Sequence, residues 1–480
     1  MDKISTDRST NRLTGRKDEK AKNSPIRAAR EDQRADSGSE GEFFTQILAK
    51  MGFEAHFDEI KAPDLSPGRM WGGMKNAAAN TRSVILNKHM SFDKPLFIIV
   101  LVLVVVGFTM MASASYAYAF AQYGDSMRYI RKQIVFAVLG VLAMIVISTV
   151  PPEKFKGFIS YFIWGMSIVL LGIVLVLPGN KGVHRWINLG FTTVQPSEIA
   201  KFAAILVCST YIAYHYREIN MTTYSSLELK HRAARSKKFK WIYGLYRNFQ
   251  TAVWPFIWRI LPILVLLVLE PHLSCTIIIL LIVGTLMFLG GTRSEYFVTL
   301  LVLAAIAIIL IVFLGVVPYG RTRVEMWLDP FADAKGDGWQ TVQSLYAISS
   351  GGLFGAGFGN SRQKYMYIAE PQNDFIFAVV CEELGLVGAV VIILIFVAFI
   401  WRGFVLSVAN PDRFQRFVGI GITAQIGYQM ILNVAVVSNL VPNTGISLPF
   451  FSSGGTSLLM LLAEIGVLLA ISRSSPNKIV

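Results

Sequence analysis

Charged residues are scarce in this chain. Asp, Glu, Lys and Arg make up 16% of its 480 residues, where a soluble domain carries about 25%. Together with 53% apolar residues and a mean hydropathy of +0.50, that shortage excludes an ordinary soluble fold and points to a polytopic membrane protein. Cysteine is nearly absent: Cys208, Cys275 and Cys381 each sit inside an apolar run, where a free thiol behaves as a small hydrophobe. That excludes a disulfide framework and any cysteine-based metal site. The first ~90 residues hold no apolar stretch of signal-peptide type, so the expectation is that nothing is cleaved and the first span is the anchor.

What is present is positive charge. The formal net charge of +14 could suggest nucleic acid, but the basic blocks lack interleaved stacking aromatics and zinc-finger spacing, so no nucleic-acid partner is expected. Basic residues on cytoplasmic loops explain the excess, because they hold membrane-protein orientation. Residues 1–91 form a separate zone. "STDRSTNRLTGRKDEKAKNSPIRAAREDQRADSGSEGE" has almost nothing to bury and should be disordered. After it, Phe43, Ile47, Leu48, Met51 and Phe57 fall near helical spacing, so 43–60 is either an interfacial or docking helix or a weakly ordered tail. This tail is expected to be dispensable for activity in vitro.

Apolar runs of spanning length, each needing about 20 residues, follow one another over 92–480. They begin near Leu96, Ile134, Phe158, Ile199, Val253, Leu273, Tyr296, Asp374, Phe417 and Thr456, which predicts an all-α domain of ten transmembrane helices. Glu270-Pro271-His272 is expected to be a tight hairpin between two spans, since the flanking run is too long for one crossing. With both termini cytoplasmic, Lys154, Lys156, the block Arg232, Arg235, Lys237, Lys238 and Lys240, Arg293, Arg402, Arg413, Arg416, Arg473 and Lys478 all fall inside. Two polar outer segments remain, 179–198 and a long loop, 318–373, between the seventh and eighth spans. A loop of that length is functional or disordered, and its Gly, Trp and Tyr content favours a folded one.

The chemistry-bearing residues gather on this outer side. In "QPSEIAKF", Pro196 suits a first helical turn, and Glu198 is favoured there by the dipole. Glu198 and Lys201, three apart, share one face; they are either a structural ion pair or part of a site. Arg185 and Trp186 of "HRWINLG" are either interface anchors or a phosphate contact. Asp329, Asp333 and Asp337 fail the EF-hand spacing. They form either a solvated acidic loop or a loose divalent site shared with a substrate phosphate. "SSGGLFGAGFGNSRQK" lacks the strand-to-helix context of a nucleotide loop. It is read as a re-entrant turn with Arg362 and Lys364 available for phosphate.

The segment "IAEPQNDFIFAVVCEELGLVG" poses a physical question. A carboxylate in the hydrocarbon zone costs at least about 2.5 kcal/mol, yet Asp374 opens an apolar helix that carries Glu382 and Glu383 some two turns further in. Helical geometry turns Glu382 by about 80° from the face of Asp374 and sets it about 12 Å deeper, with Glu383 pointing the opposite way. The two glutamates are expected to bond neighbouring helices. Asp374, at the outer boundary, is either a helix cap or a general base with a raised pKa. "VPNTGISLPFFSSGGTSLL" is expected to form a cavity wall.

Taken together, "HRWINLGFTTVQPSEIAKF", "GWQTVQSLYAISSGGLFGAGFGNSRQK", "YIAEPQNDFIFAVVCEELGLVGA" and "VPNTGISLPFFSSGGTSLL" resemble, in order, the SEDS (shape, elongation, division and sporulation) proteins of bacterial cell-wall synthesis. "SASASYAYA" after the first span is more similar to the division and sporulation branch (FtsW-like) than to the rod-elongation branch. The resemblance implies a ten-helix inner-membrane glycosyltransferase that polymerises lipid II into glycan strands and releases undecaprenyl pyrophosphate. It also implies a class B penicillin-binding protein and other division proteins as partners and a location at the division septum; a divalent cation (Mg or Mn), shared between the loop acids and the pyrophosphate, is the one candidate cofactor. Carried over residue by residue, the family's essential loop aspartate falls on Asp374, the Glu and Lys of its "PSE..K" motif on Glu198 and Lys201, and the Arg of its "RW" motif on Arg185. Trp186, Glu370, Ser452, Gly454 and Gly455 are expected to line the cavity, with Arg362 and Lys364 beside the pyrophosphate. The chain departs from the family pattern at "EPHLSC", where "QPDLGT" is common, so that His272 replaces an acid. It departs again at Ser452-Ser453-Gly454-Gly455 (commonly "SYGG") and at Gln372-Asn373 (commonly His-Thr). A lipid-linked precursor flippase and a non-catalytic division scaffold are the competing readings. The polymerase reading requires that the acid before the eighth span share a cavity with cations delivered with the fourth.

Overall fold

The computed structural model describes residues 92–177, 185–190, 192–224, 249–313 and 320–474. The tail with its 43–60 segment, the basic block 232–240 and Lys478 lie outside the described residues.

Ten long helices run through the described residues: α1 (Lys94–Tyr123), α2 (Arg128–Ser148), α3 (Phe158–Val176), α4 (Pro196–Tyr224), α5 (Trp254–Leu269), α6 (Leu273–Leu289), α7 (Ser294–Phe313), α10 (Ile376–Val408), α11 (Arg413–Val437) and α12 (Gly455–Ser474), with the shorter α8 (Gly320–Leu328) and α9 (Trp339–Gly351) between α7 and α10. Seven of them are long and apolar enough to cross a membrane, while α5 and α6 are shorter apolar helices. Each predicted span begins within two turns of an observed helix. The Glu270-Pro271-His272 hairpin is present, because α5 stops at Leu269 and α6 starts at Leu273. The long loop is folded, as expected, around α8 and α9.

Lys156, Arg402, Arg413 and Arg473, four of the basic residues expected inside, lie at one end of the helices. There Arg402 Nη2 meets Asp93 Oδ2 at 2.6 Å, Arg473 donates to Ser148 Oγ at 3.3 Å, and Lys156 and Arg413 lie over the rings of Tyr214 and Tyr216 at 4.9 and 4.4 Å. The buried core centres on α4 and α11, whose faces are closed on nearly all sides. By contrast α2 and α3 leave most of their apolar side chains facing outward, as lipid-facing helices do.

The eighth long helix is not continuous. Gly385 has φ 67° and ψ −169°, a break inside α10. Before the break, residues 376–383 are all buried. After it, Leu386, Val387, Val390, Val391, Leu394 and Val397 are exposed, and 386–408 is long enough to span alone. The segment after α9 packs into the break. Ala356 N and Gly357 N donate to the carbonyls of Glu382 and Glu383 at 2.9 and 3.1 Å, and Leu386 N and Val387 N donate to Gly352 O and Leu353 O at 2.9 and 3.1 Å. A Cβ at Gly385 would stand 2.3 Å from Gly355 N, which is why glycine occupies the position.

That break corrects the reading of the two glutamates as residues two turns inside a span. They sit at the mouth of the spanning part and serve the re-entrant segment. Glu382 accepts from Ser361 Oγ (2.5 Å) and Arg362 N (2.8 Å). Glu383 accepts from Ser113 Oγ of α1 (2.8 Å) and pairs with Lys364 Nζ (2.8 Å). Both carboxylates therefore bind the re-entrant segment, and Glu383 also bonds a neighbouring helix, α1, as expected.

Candidate active site

Where α4, α6, α10 and α12 begin, the chain encloses a cavity of about 270 Å³. A two-residue hairpin, β1 (Ile187–Asn188) and β2 (Thr193–Val194), pairs Ile187 with Val194. It delivers Arg185 and the half-exposed Trp186 to one wall. Thr456 Oγ1 donates to Thr193 O at 2.8 Å and fastens this hairpin to α12. Pro196 then opens α4 and places Glu198 and Lys201 on one face, where Lys201 Nζ meets Glu198 Oε1 at 2.9 Å. Lys201 is 2% exposed. An ammonium that deep is tolerable only beside a carboxylate.

The opposite wall is the segment before α10. Asp374 lines the cavity with Glu370, and its Oδ2 lies 3.2 Å from the point a Cβ on Gly445 would occupy. A side chain at Gly445, which also has φ 70°, would crowd the carboxyl. Burial pushes the Asp374 carboxyl up to about 6, helped by the negative charge of Glu370 and opposed by Arg185 and Arg323. The acid therefore faces two guanidinium groups from different parts of the chain and still holds its proton more tightly than an ordinary aspartate.

The loop after α11 closes the site. Ser452 Oγ donates to Asn373 O at 2.8 Å and Ser453 N to Gln372 O at 2.7 Å, so this loop clasps the residues just before Asp374. Asn433 of α11 donates to both Asp374 O and Ile446 O.

Arg185, Trp186, Glu198, Lys201, Glu370, Asp374, Ser452 and Gly454 all line the one cavity. Arg362, Lys364 and Gly455 do not. Lys364 is buried and engaged by Glu383, Gly359 O and Ser113 Oγ, so its ammonium is committed to holding the re-entrant segment. Arg362 is exposed and uses its backbone amide on Glu382. Gly455 packs on the ring of Phe136. Asp329 and Asp333 accept backbone amides of their own turns, from Phe331 and from Gly336 and Asp337. Among the described residues no group of three or more His, Cys, Asp or Glu is arranged to hold a metal.

Several residues at the site had no signal in the sequence. Glu464 of α12 is buried, accepts Gln425 Nε2 at 2.7 Å, and is close enough to act electrostatically on Lys201. Arg323 of α8 donates to Asn443 O at 2.8 Å. With Trp327, Gln340 and Asn439 it lines a second cavity, of about 380 Å³, that shares Arg185 with the first. Each lies far along the chain from Asp374, so only the fold brings them together.

Residues 94–477 match the family model described as cell cycle protein, for FtsW, RodA and SpoVE. The chain belongs to this family. It is 35% identical over 361 residues to stage V sporulation protein E of Bacillus subtilis, covering 74% of this chain and 89% of that protein. The probable peptidoglycan glycosyltransferase FtsW of Coxiella burnetii is 33% identical, with the same two coverages. Among solved structures it is similar to a chain from the work titled "Structural coordination of polymerization and crosslinking by a peptidoglycan synthase complex", with TM-score 0.61, 26% identity, and coverage of 81% of this chain and all of that one. It is also similar to the rod shape determining protein RodA of Thermus thermophilus, with TM-score 0.54, 25% identity, and coverage of 81% and 99%. These likenesses agree with the polytopic helical fold and with the FtsW-like branch.

Proposed function

We propose that this chain is a peptidoglycan glycosyltransferase that polymerises lipid II, with Asp374 as its base. The observation that carries the reading is one carboxyl, raised to about 6, sharing a cavity with Arg185 and Lys201. A base with a pKa near working pH accepts a proton and later returns it.

The step balances with these groups. The 4-hydroxyl oxygen of an incoming GlcNAc attacks the anomeric carbon of lipid-linked MurNAc. The new C–O bond forms as the bond to the pyrophosphate oxygen breaks, and the electron pair leaves with undecaprenyl pyrophosphate. The hydroxyl proton passes to Asp374. Direct displacement inverts the α-linked donor to a β-linkage. Arg185 takes up charge developing on the leaving group. Lys201, whose charge is shared with Glu198 and Glu464, contributes a weaker field. Asp329 and Asp333 accept amides of their own turns and Asp337 lines the second cavity, so the step as written uses only the side chains named above. A cation arriving with the pyrophosphate would meet Glu370 and Asp374.

The positive-inside pattern supports cytoplasmic termini and an outward cavity, with the α8–α9 region outside. Membership of the family supports a class B penicillin-binding protein as cross-linking partner, other division proteins, and a place at the septum. A flippase would want its charges near the bilayer midplane, whereas here they line a cavity at the helix starts. Purified full-length protein given labelled lipid II, with and without the penicillin-binding partner, separates polymer from translocated monomer or from neither. Polymer made by Asp374→Asn at the wild-type rate would refute the assignment.

A further inference from the structure

The hairpin between α5 and α6 brings to the cavity a group that the reaction scheme above leaves unused. His272 lines it, is 6% exposed, and its Nδ1 is buried with no hydrogen-bond partner. A buried imidazole nitrogen without a partner carries a desolvation cost that a bound ligand would relieve.

The surroundings say what kind of ligand. His272 is the N-cap residue of α6 but makes no side-chain capping bond, and the first turn of α6 contains no acid. The positive end of that helix therefore meets the cavity without a negative side chain of its own. At α4, by contrast, Glu198 occupies the first turn. The backbone acceptors Pro271 O and His272 O are already taken, by Arg185 Nη2 and by Thr276 N and Oγ1, while the Glu270 carboxyl oxygens of the same hairpin are buried without a partner. Arg185 and Lys201 both act electrostatically on the imidazole. An imidazole, two cations and a helix amino terminus thus converge on one part of the cavity and favour an anion there, in a space that Glu198, Glu370 and Asp374 also line.

We propose that His272 is a direct ligand of the substrate's pyrophosphate, donating a ring N–H to a phosphoryl oxygen beside Arg185 at the amino terminus of α6. This rests on the glycosyltransferase reading and assigns where the leaving group sits. An acid at this position, as in the "QPDLGT" pattern, would repel such a group. Imidazole replaces repulsion with a donor.

The test is calorimetric binding of inorganic pyrophosphate to the detergent-purified full chain. His272→Ala should weaken binding about tenfold, the scale of one lost hydrogen bond to a charged group. His272→Gln, which keeps an N–H donor, should stay within about threefold of wild type, and His272→Asp should bind more weakly than His272→Ala. Thermal unfolding of each variant reports whether the hairpin still folds. Unchanged affinity in His272→Ala overturns the proposal, as does equal loss in His272→Gln and His272→Ala accompanied by a lowered melting temperature. If Arg185→Ala loses affinity while His272→Ala does not, the polymerase reading survives and the role of His272 falls. Failure of the wild type to polymerise lipid II would instead overturn the reading beneath it.

Discussion

Asn433 holds Asp374 by its backbone. Its Nδ2 donates to the Asp374 carbonyl at 2.8 Å and to the Ile446 carbonyl at 2.6 Å, and the residue is fully buried. One amide group therefore sets the distance between the proposed base and the loop that roofs it. Replacing Asn433 by Ala removes this donor from the part-buried Asp374 carbonyl and the buried Ile446 carbonyl, at a cost of about 1–3 kcal/mol for the buried one. We expect kcat for polymerisation to fall by about ten- to a hundredfold with KM little changed, since misplacing a reacting group by about 1 Å costs that much. Steady-state assays with lipid II would check the split between the two constants.

The pH dependence follows from the carboxyl itself. With its pKa raised to about 6, Asp374 is protonated below that value and cannot accept the hydroxyl proton. The rate should rise with pH through about 6 and level off above it. A profile flat from pH 5 to 8 would contradict the assignment.

Lys364 and Glu383 form a pair in which neither side chain is more than 4% exposed. Lys364→Met strands the carboxylate, and breaking one side of such a pair costs about 3–5 kcal/mol. The melting temperature should fall clearly, and adding Glu383→Gln should restore much of the loss. Lys364→Met should leave pyrophosphate affinity unchanged, because the residue lies off the cavity.

Gly385→Ala would put a Cβ against Gly355 N and force a left-handed φ on alanine, which costs about 1–3 kcal/mol before any clash. We expect lower stability and faster hydrogen exchange at the Ala356 and Gly357 amides, whose acceptors lie at the break. Mass-resolved exchange on that peptide would measure it.

Much of this architecture was legible in the residue order. Apolar run lengths located the ten helices, and the Glu270-Pro271-His272 turn and the Glu198–Lys201 pair were visible from spacing alone. Asp374 stood out because an acid at the start of an apolar helix is costly. What spacing could not reveal was discontinuity. An apolar run through Gly385 has the same composition whether or not the helix breaks there, so Glu382 and Glu383 looked deeper than they are. For the same reason Lys364 looked free for phosphate, since its partner lies nineteen residues later in the chain. Arg323, Asn433 and Glu464 arrive from three separate helices, and no local pattern marks them.

The stitching of residues 352–357 to 382–387 has a mechanical consequence. The half-helix behind Asp374 is tied at both ends, because its end is sewn to the segment leaving α9 and its start is clasped by the Ser452 loop. A protein gripping the surface around α9 would take hold of the base as well, and could set the pace of the chemistry without touching the cavity.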